Sequence, residues 1–307
     1  MRIIFMGTPE FSVPSLDILH KNGHEVVAVV TAEDKPAGRG RKIRKSAVKQ
    51  YAEQEEIKVL QPGKLRDPEF IHALSELKPD LMVVVAFRML PEMVWSIPSI
   101  GTFNLHASLL PDYRGAAPIN WAIMNGEEKT GATTFFIDKK IDTGNLLLQR
   151  EIDIPEDWTA GDLHDELMVK GAELVLETVE ALEAGTIEAK AQDDSLFQNH
   201  APKIFKEDCR IDWNREAYKV NNFIRGLSPY PTSWTKLGEK VLKIYKAEIA
   251  HLHGGNLPGS IHVQENKLFI SCADGLLEIK ELQLEGKKRM KTEDFLRGYK
   301  QEFEAVS

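Results

Sequence analysis

The segment that most restricts the fold of this chain is the apolar run Asp80 to Ala86, DLMVVVA. A continuous apolar run of this length is typical of a strand that is buried on both faces. Such strands belong to parallel sheets that carry helices on each side. The run therefore favours an α/β architecture.

Strand and helix signals alternate around this run, which predicts a Rossmann-like, mostly parallel sheet with helices on both faces. Short strands are predicted at Arg2 to Met6, Glu25 to Thr31, Ile57 to Leu60 and Gly101 to Leu105, and helices at Pro9 to Asn22, Ser46 to Glu55, Asp67 to Leu77 and Ala117 to Met124.

The pattern changes in the second half of the chain. Two strands, Gly131 to Ile137 and Leu146 to Ile154, flank an Asp-Thr-Gly turn, and a long helix follows at Ala160 to Ala184. After one more helix, Glu216 to Leu227, short strand runs between 233 and 284 predict a small OB-like β-barrel. We expect a catalytic domain at 1–190, a linker at 191–206 and a barrel domain at 207–307.

Composition excludes several classes of protein. No apolar run approaches the roughly 18 residues of a membrane span, and the first residues lack the longer apolar stretch of a signal peptide. Two cysteines, Cys209 and Cys272, cannot form a disulfide framework. We therefore expect a cytoplasmic protein, and a monomer.

Charge is distributed unevenly along the chain. The net charge is -8, yet residues 203–307 carry 18 Lys and Arg against 15 Asp and Glu, while residues 1–202 carry 21 against 32. One segment of the acidic part, Lys35 to Lys45, holds six cations and no anion. A wholesale nucleic-acid binder is disfavoured. For the basic segment taken alone, a solvated surface loop is favoured over a contact with phosphates, because most charge runs are solvated.

Two common ligand motifs are missing. The segment after the first strand, Gly7 to Ser12, matches neither G-x-G-x-x-G nor the phosphate loop, so nucleotide binding in the usual mode is disfavoured. His251 and His253 lack a third ligand at useful spacing, which favours a surface turn over a metal site.

Asn104 and His106 are the strongest candidates for chemistry. They stand two apart at the carboxyl end of a predicted central strand, where open α/β sheets bind ligands, and they share one face. An amide beside an imidazole can polarise a carbonyl oxygen. A carboxylate from the Asp142-Thr143-Gly144 turn could orient the imidazole. The residues alone leave open whether this is a catalytic or a structural pair.

Along nearly its whole length the chain resembles the 10-formyltetrahydrofolate-dependent formyltransferases. The resemblance rests on FMGTPEFSVPSL at 5–16, DKPAGRGRK at 34–42, NLHASLLPDYRGAAPINWAI at 104–123, DTG at 142–144, RIDW at 210–213 and PYPTSW at 229–234. It implies transfer of a formyl group from 10-formyltetrahydrofolate to the α-amino group of methionine carried by initiator tRNA, without a metal.

The resemblance also implies roles for single residues. Asn104 and His106 would donate to the formyl oxygen as a tetrahedral intermediate forms, and Asp142 would pair with His106 and help to remove a proton from the attacking amine. Folate would contact Ser108, Leu109, Leu110 and Pro111, and the loop Phe87, Arg88, Met89 and Leu90. That loop, Ala86 to Pro91, is one residue shorter than the common family form and has Arg88 near the expected glycine.

The basic segment carries the RNA expectation. In the family this loop enters the acceptor-stem end of the tRNA, so the resemblance assigns that contact to Lys35, Arg39, Arg41 and Lys42. The second domain would follow the RNA backbone, with Lys203, Lys206, Lys243, Lys246 and the cluster Lys287-Lys288-Arg289 as candidates.

Two alternatives remain. A relative that formylates a small amine, such as an amino sugar nucleotide, can have a similar second domain, but the basic loop argues against it. A non-catalytic RNA-binding module is disfavoured because Asn104, His106 and Asp142 are all present.

Overall fold

The apolar run of the first half is a strand, Leu81–Val85, and all five of its residues are buried. The structure is a computed structural model and describes residues 1–37, 42–250, 257–299 and 305–306. It divides into two compact units. The first comprises Met1–Gly115, Thr130–Ile152 and His164–His200; the second comprises Ala116–Lys129, Asp153–Leu163 and Ala201–Ser307. The domain boundaries expected from the sequence stay a prediction.

Strands and helices alternate through much of the first half of the chain, and in the described residues six strands follow one another between the last two helices. The strands are β1 (Arg2–Gly7), β2 (Glu25–Val30), β3 (Lys35–Ala37), β4 (Lys42–Arg44), β5 (Val59–Leu60), β6 (Leu81–Val85), β7 (Gly101–His106), β8 (Arg114–Gly115), β9 (Lys129–Phe136), β10 (Leu146–Asp153), β11 (His200–Ala201), β12 (Ser233–Leu237), β13 (Lys240–Ala250), β14 (Ile261–Gln264), β15 (Lys267–Ser271), β16 (Leu276–Leu284) and β17 (Met290–Lys291). The helices are α1 (Val13–Lys21), α2 (Ala47–Gln54), α3 (Pro68–Glu76), α4 (Glu92–Trp95), α5 (Pro118–Asn125), α6 (Ala160–Ala184), α7 (Ala217–Gly226) and α8 (Thr292–Gly298).

The first unit is built on a seven-stranded sheet with the order β10-β9-β7-β6-β1-β2-β5. The pairs β1/β2, β1/β6, β2/β5 and β6/β7 are parallel, whereas β7 and β9 are antiparallel. From β1 the chain adds β2 and β5 on one side of the sheet, and it then crosses to the other side of β1 to add β6 and β7. The strand order therefore changes direction at the boundary between β1 and β6. Open sheets of this kind bind ligands beyond the carboxyl ends of the strands near that point.

The core of this unit follows from the alternation of side chains along the strands. Met6 of β1 and Met82 and Val84 of β6 pack in one buried cluster with Phe70 and Leu74 of α3. The remaining residues of β6 are equally buried, as expected for a strand with helices on both sides.

Helix boundaries follow local capping chemistry. The side chain of Ser46 accepts a hydrogen bond from the Lys49 N–H at the start of α2, and Asp67 accepts one from the Glu69 N–H at the start of α3. The predicted helix Pro9 to Asn22 instead begins as a 3-10 turn at Glu10–Ser12 before α1 starts.

The second unit contains an antiparallel sheet with the order β12-β13-β16-β15-β14, and β17 pairs with β16. Its core includes Trp213, Ile224 of α7, Ile244 of β13 and Phe295 of α8. The expected fold class, a mostly parallel α/β sheet followed by a small antiparallel β domain, is confirmed. No helix in the described ranges is long and apolar enough to cross a membrane.

Candidate active site

The carboxyl ends of the three central strands lie side by side. Gly7 of β1 is in register with Val85 of β6, and Val85 is in register with Leu105 of β7. The segments that leave these strands therefore begin at one edge of the sheet. His106, the last residue of β7, stands at this edge.

Asn104 and His106 lie two apart on β7, so their side chains project from the same face of the strand. His106 is only 6% exposed, and Asn104 is half-buried. The imidazole ring packs edge-on against the Phe135 ring with 6.5 Å between centroids. The ring therefore has a fixed position at the sheet edge.

The hydrogen bond of His106 identifies the nitrogen that faces the site. Its Nε2 lies 2.9 Å from the main-chain oxygen of Tyr113. Because a carbonyl oxygen can only accept, Nε2 carries a hydrogen and donates it. Nδ1 lies 3.9 Å from Oδ2 of Asp142, which is ion-pair distance but too long for a hydrogen bond. Nδ1 is thus the ring nitrogen left for reacting groups.

Asp142 is held in a tight loop between β9 and β10. Its Oδ2 accepts a hydrogen bond from the Gly115 N–H at 3.0 Å, and its side chain is 15% exposed. Its φ of 56° lies in the left-handed region, which non-glycine residues rarely adopt. Two residues on, a Cβ on Gly144 would stand 1.7 Å from the Phe136 oxygen, so only glycine allows the loop to approach β9 this closely.

The segment expected to contact folate is held by buried hydrogen bonds. Ser108 is fully buried, and its hydroxyl donates to the main-chain oxygen of Asp112 at 2.7 Å. Thr133 Oγ1 donates to the Ser108 oxygen at 2.6 Å and accepts from the Leu110 N–H at 3.1 Å. Leu110 and Pro111 are buried, and Leu109 is half-buried. These contacts fix the shape of the segment directly after His106.

The shorter loop after β6 offers an apolar surface. Ala86 has a φ of 47°, Phe87 is half-buried, and Met89 is 71% exposed. Leu90 is buried in the cluster that contains β6 side chains. The loop therefore presents one large exposed apolar side chain, Met89, beside a partly exposed aromatic ring.

Arg88 ties this loop to its neighbour. Its guanidinium donates to the main-chain oxygens of Pro62 and Gly63 and lies 5.7 Å from the centre of the Phe87 ring. Arg88 therefore occupies the outer side of the loop, where it holds Phe87 and the segment after β5 together.

If this loop binds folate, as the resemblance implies, replacing Arg88 with glycine is expected to weaken that binding on the order of threefold to tenfold, because two charge-assisted hydrogen bonds that restrain the loop are lost. The measurement is the folate dissociation constant by fluorescence titration. The exposed Arg66 changed to glycine is the control and should bind folate normally. An unchanged constant for the Arg88 variant would show that the contact does not matter for binding.

The basic segment begins and ends as a two-stranded hairpin. Strand β3 pairs antiparallel with β4, with Lys35 opposite Arg44 and Ala37 opposite Lys42. Lys35 is exposed. Arg39 and Arg41 lie outside the described residues, as do His251 and His253.

Ion pairs anchor the base of this hairpin. Asp34 accepts hydrogen bonds from Lys49 at 2.7 Å and from Gln61 at 2.9 Å, and these contacts lower the pKa of Asp34. Lys45 donates to Glu53 at 2.6 Å, which raises the pKa of Lys45. The chain that enters and leaves the hairpin is thus attached to α2 and to the residues after β5.

The lysines expected to bind RNA in the second unit have different surroundings. Lys203 and Lys206 are exposed, and the Lys203 ammonium lies 5.3 Å from the centre of the exposed Phe205 ring. On β13, Lys246 is exposed and Lys243 is half-buried. The first pair is close together in sequence before α7, whereas the second pair lies on a strand.

Arg289 of the basic cluster has its charge matched within the protein. It donates to both carboxylate oxygens of Glu281, at 2.7 and 2.6 Å, and lies 4.1 Å from the centre of the Tyr245 ring. Trp213 is buried in the core of the second unit, where its indole N–H donates to the Thr235 hydroxyl.

Sequence reasoning missed the groups that hold the side chains of His106 and Asp142 in place. The Tyr113 oxygen and the Gly115 N–H are main-chain groups, and neither has a signature in the sequence. Gln192, whose side chain contacts the loop of Asp142, lies in a segment expected to be only a linker. Within the described ranges no three His, Cys, Asp or Glu side chains converge in a metal-binding group.

Both halves of the chain match known protein families. Residues 1–179 match the family described as formyl transferase, and residues 203–300 match the formyl transferase C-terminal domain. Together these ranges include the β7 edge, the Asp142 loop and the antiparallel sheet.

Individual relatives agree with these matches. The methionyl-tRNA formyltransferase of Bacteroides thetaiotaomicron is 51% identical over 311 residues, which cover 98% of this chain and 96% of the relative. Among solved structures, an N-formyltransferase from Helicobacter canadensis, in complex with folinic acid and dTDP-3-aminofucose, has a TM-score of 0.69 at 22% identity and covers 94% of this chain and 99% of its own.

A second solved structure has a similar fold but a longer chain. HypX from Aquifex aeolicus, in complex with tetrahydrofolic acid, has a TM-score of 0.67 at 21% identity over 96% of this chain. The match spans 47% of the length of HypX. At these identities the two structures support the fold alone.

Proposed function

Because this chain belongs to the formyl transferase family, we propose that it transfers a formyl group from a folate donor to the α-amino group of methionyl-tRNA. The observation that carries the proposal is the 51% identity to a methionyl-tRNA formyltransferase across nearly the full length of both chains. The donor is 10-formyltetrahydrofolate and the acceptor is the initiator tRNA.

The reaction requires the protein to stabilise one developing charge and to assist two proton transfers. The formyl group on the donor is amide-like and therefore a poor electrophile, so negative charge on its oxygen must be stabilised. The amine must lose a proton as its nitrogen bonds to the formyl carbon. The folate nitrogen must gain a proton as its bond to that carbon breaks. A side-chain amide, an imidazole and a carboxylate can supply all three.

Asn104 stabilises the oxygen in this proposal. Asn104 shares one face of β7 with His106, and β7 ends at the edge where open sheets of this kind bind ligands. A preorganised donor to a developing oxyanion contributes about 10² to 10³ in rate.

His106 and Asp142 move the proton. Nε2 already donates to the Tyr113 oxygen, so Nδ1 is the nitrogen that can take the proton from the amine. Asp142, 3.9 Å from Nδ1, balances the positive charge that the ring then carries. The new Nδ1–H can donate to the formyl oxygen and afterwards return the proton to the folate nitrogen. Positioned acid–base catalysis contributes about 10² to 10⁴ in rate.

The folate ring is placed between two apolar surfaces. The segment Ser108 to Pro111 follows His106 directly, and the Phe87 to Leu90 loop follows the neighbouring strand β6. Half-buried Leu109 and Phe87 and exposed Met89 suit a flat heterocycle better than a charged ligand.

The hairpin of β3 and β4 contacts the RNA. Its base is anchored by the Asp34–Lys49 and Lys45–Glu53 ion pairs, and its sequence between the two strands is Gly-Arg-Gly-Arg. Cations on such a segment bind phosphates and make binding sensitive to salt. In the second unit, the proposal assigns phosphate contacts to exposed Lys203 and Lys206.

Changing Arg39 and Arg41 together to alanine is expected to weaken tRNA binding and to make its salt dependence shallower by about one to two units in the log–log slope, because two phosphate contacts are removed. The measurement is the tRNA dissociation constant across a salt series. The matched control changes Lys64 and Arg66, two exposed cations at the same spacing, and should leave the slope unchanged. An unchanged slope for the hairpin variant would contradict the assignment.

One assay tests the function itself. The protein is incubated with labelled 10-formyltetrahydrofolate and, separately, with methionyl initiator tRNA, methionyl elongator tRNA or the sugar nucleotide dTDP-3-aminofucose. We expect label on the initiator tRNA. Label on the sugar nucleotide alone would assign the chain to small-amine formylation, and no label on any acceptor would leave only an RNA-binding module.

A further inference from the structure

The turn that carries Asp142 is held by a side chain distant in sequence. The Gln192 amide nitrogen donates to the main-chain oxygens of both Asp142, at 2.9 Å, and Gly144, at 2.8 Å. One side chain thereby spans the turn from its first residue to its last. Because Asp142 is in the left-handed region, where a non-glycine residue is disfavoured, the turn needs such support.

Arg114 fixes the orientation of that amide. Its Nε and Nη2 donate to Oε1 of Gln192 at 3.1 and 2.6 Å. A guanidinium only donates and a carbonyl only accepts, so Oε1 must face Arg114 and the amide nitrogen must face the turn. The Arg114 side chain is 13% exposed, and its guanidinium also lies 5.4 Å from the centre of the Phe197 ring.

Strand β8, which carries Arg114, also contacts Asp142 directly. Gly115, the neighbour of Arg114 on β8, donates its N–H to the Asp142 carboxylate. The carboxylate is therefore held directly by β8, and its main chain is held by β8 through Gln192. Displacing either contact would move Oδ2 relative to the ring of His106.

The segment around Gln192 is itself attached beside His106. The Asp112 carboxylate accepts hydrogen bonds from the N–H groups of Gln198 and Asn199, at 3.0 and 2.6 Å. The Tyr113 N–H donates to the Asn199 oxygen at 2.8 Å, and the Tyr113 oxygen is the acceptor of His106 Nε2. Residues 192–199 thus hold both the turn of Asp142, through Gln192, and the segment that accepts the hydrogen bond of His106.

We infer that Gln192 is a positioning residue for formyl transfer, which acts on the reaction by holding the 142–144 turn so that the Asp142 carboxylate faces Nδ1 of His106. The inference rests on the proposed function, since it concerns the same three side chains. Errors of about 1 Å in the placement of a catalytic group can lower a rate on the order of 10²-fold.

The test is Gln192→Glu, which keeps the size of the side chain and the acceptor for Arg114 but faces two carbonyl oxygens with a carboxylate. We expect kcat for formylation of methionyl initiator tRNA to fall on the order of tenfold, with KM for folate and tRNA within about twofold of wild type. The matched control, Gln198→Glu, makes the same change at an exposed side chain of the same segment and should keep the wild-type kcat.

A double-mutant cycle separates positioning from a general structural role. If Gln192 acts through Asp142, Gln192→Glu should lower kcat less than about twofold further in an Asp142→Asn background. Full additivity in the cycle, or a wild-type kcat for Gln192→Glu, would overturn the inference. Thermal unfolding is recorded for each variant, and Gln192→Met, which adds no charge, serves if the glutamate variant does not fold and should show the same non-additive loss.

The outcomes distinguish this inference from the function on which it rests. Wild-type protein that formylates the tRNA, together with a slow Asp142→Asn variant and an unaffected Gln192→Glu variant, removes only the role of Gln192. Wild-type protein that does not label the tRNA removes the proposed function itself.

Discussion

Replacing His106 with alanine is expected to lower the turnover number by about 10² or more, while KM for folate and for tRNA stays within about threefold of wild type. The buried ring provides the one nitrogen, Nδ1, that faces Asp142, and alanine has no group to accept the proton of the amine. The measurement is steady-state formylation of methionyl initiator tRNA, supported by a single-turnover experiment that reports the chemical step.

The control for this variant is His72→Ala, which removes an exposed imidazole on α3 and should keep wild-type kinetics. A thermal unfolding scan shows whether the cavity left by the ring destabilises the fold. A folded His106→Ala protein with a wild-type turnover number would remove the proton-transfer mechanism.

Changing Asp142 to asparagine is expected to lower kcat by about 10² or more with folate and tRNA binding retained. Asparagine keeps an oxygen that can accept from the Gly115 N–H, so the loop should remain folded, but it has no charge to balance a protonated His106. Burst and steady-state rates of the purified variant measure the loss.

The matched control is Asp153→Asn, which removes one carboxylate from an exposed side chain at the end of β10. Its kcat should equal that of wild type. If Asp142→Asn retained the wild-type rate at every pH from 6 to 8, roughly the range in which imidazole titrates, the carboxylate would have no part in proton transfer.

Much of the fold was predictable because its strongest signals are local. The run at β6 is typical of a strand buried on both faces, and the alternation of strand and helix signals around it favours a mostly parallel α/β sheet. The short helices α4 and α8 were not predicted, since four and seven residues hold too few turns for a periodic signal. The two ends of the basic loop form the strands β3 and β4 through backbone hydrogen bonds, and the side-chain pattern gave no signal for this pairing.

In the candidate site, too, the features with a local sequence signal were predictable and the contacts between distant residues were not. The i, i+2 spacing on a strand predicts that Asn104 and His106 share a face, and the end of a central strand predicts the edge where they lie. The pairing of His106 with Asp142 depends on contacts across 36 positions of chain. The residues alone offered the Asp142 turn only as one source of a carboxylate, and resemblance to a family was needed to pair the two side chains. Gln192 carries no local signal at all, because two of its partners are main-chain oxygens and the third, the Arg114 guanidinium, lies 78 positions earlier in the chain.

The attachment of residues 192–199 to Asp112 and Arg114 has a practical meaning for protein engineering. A hybrid that takes its C-terminal half from another species should be spliced downstream of Asn199. A crossover upstream of Gln192 would replace the segment that holds the turn of Asp142 with a foreign one. We expect such a hybrid to lose activity even though Asn104, His106 and Asp142 come from the host.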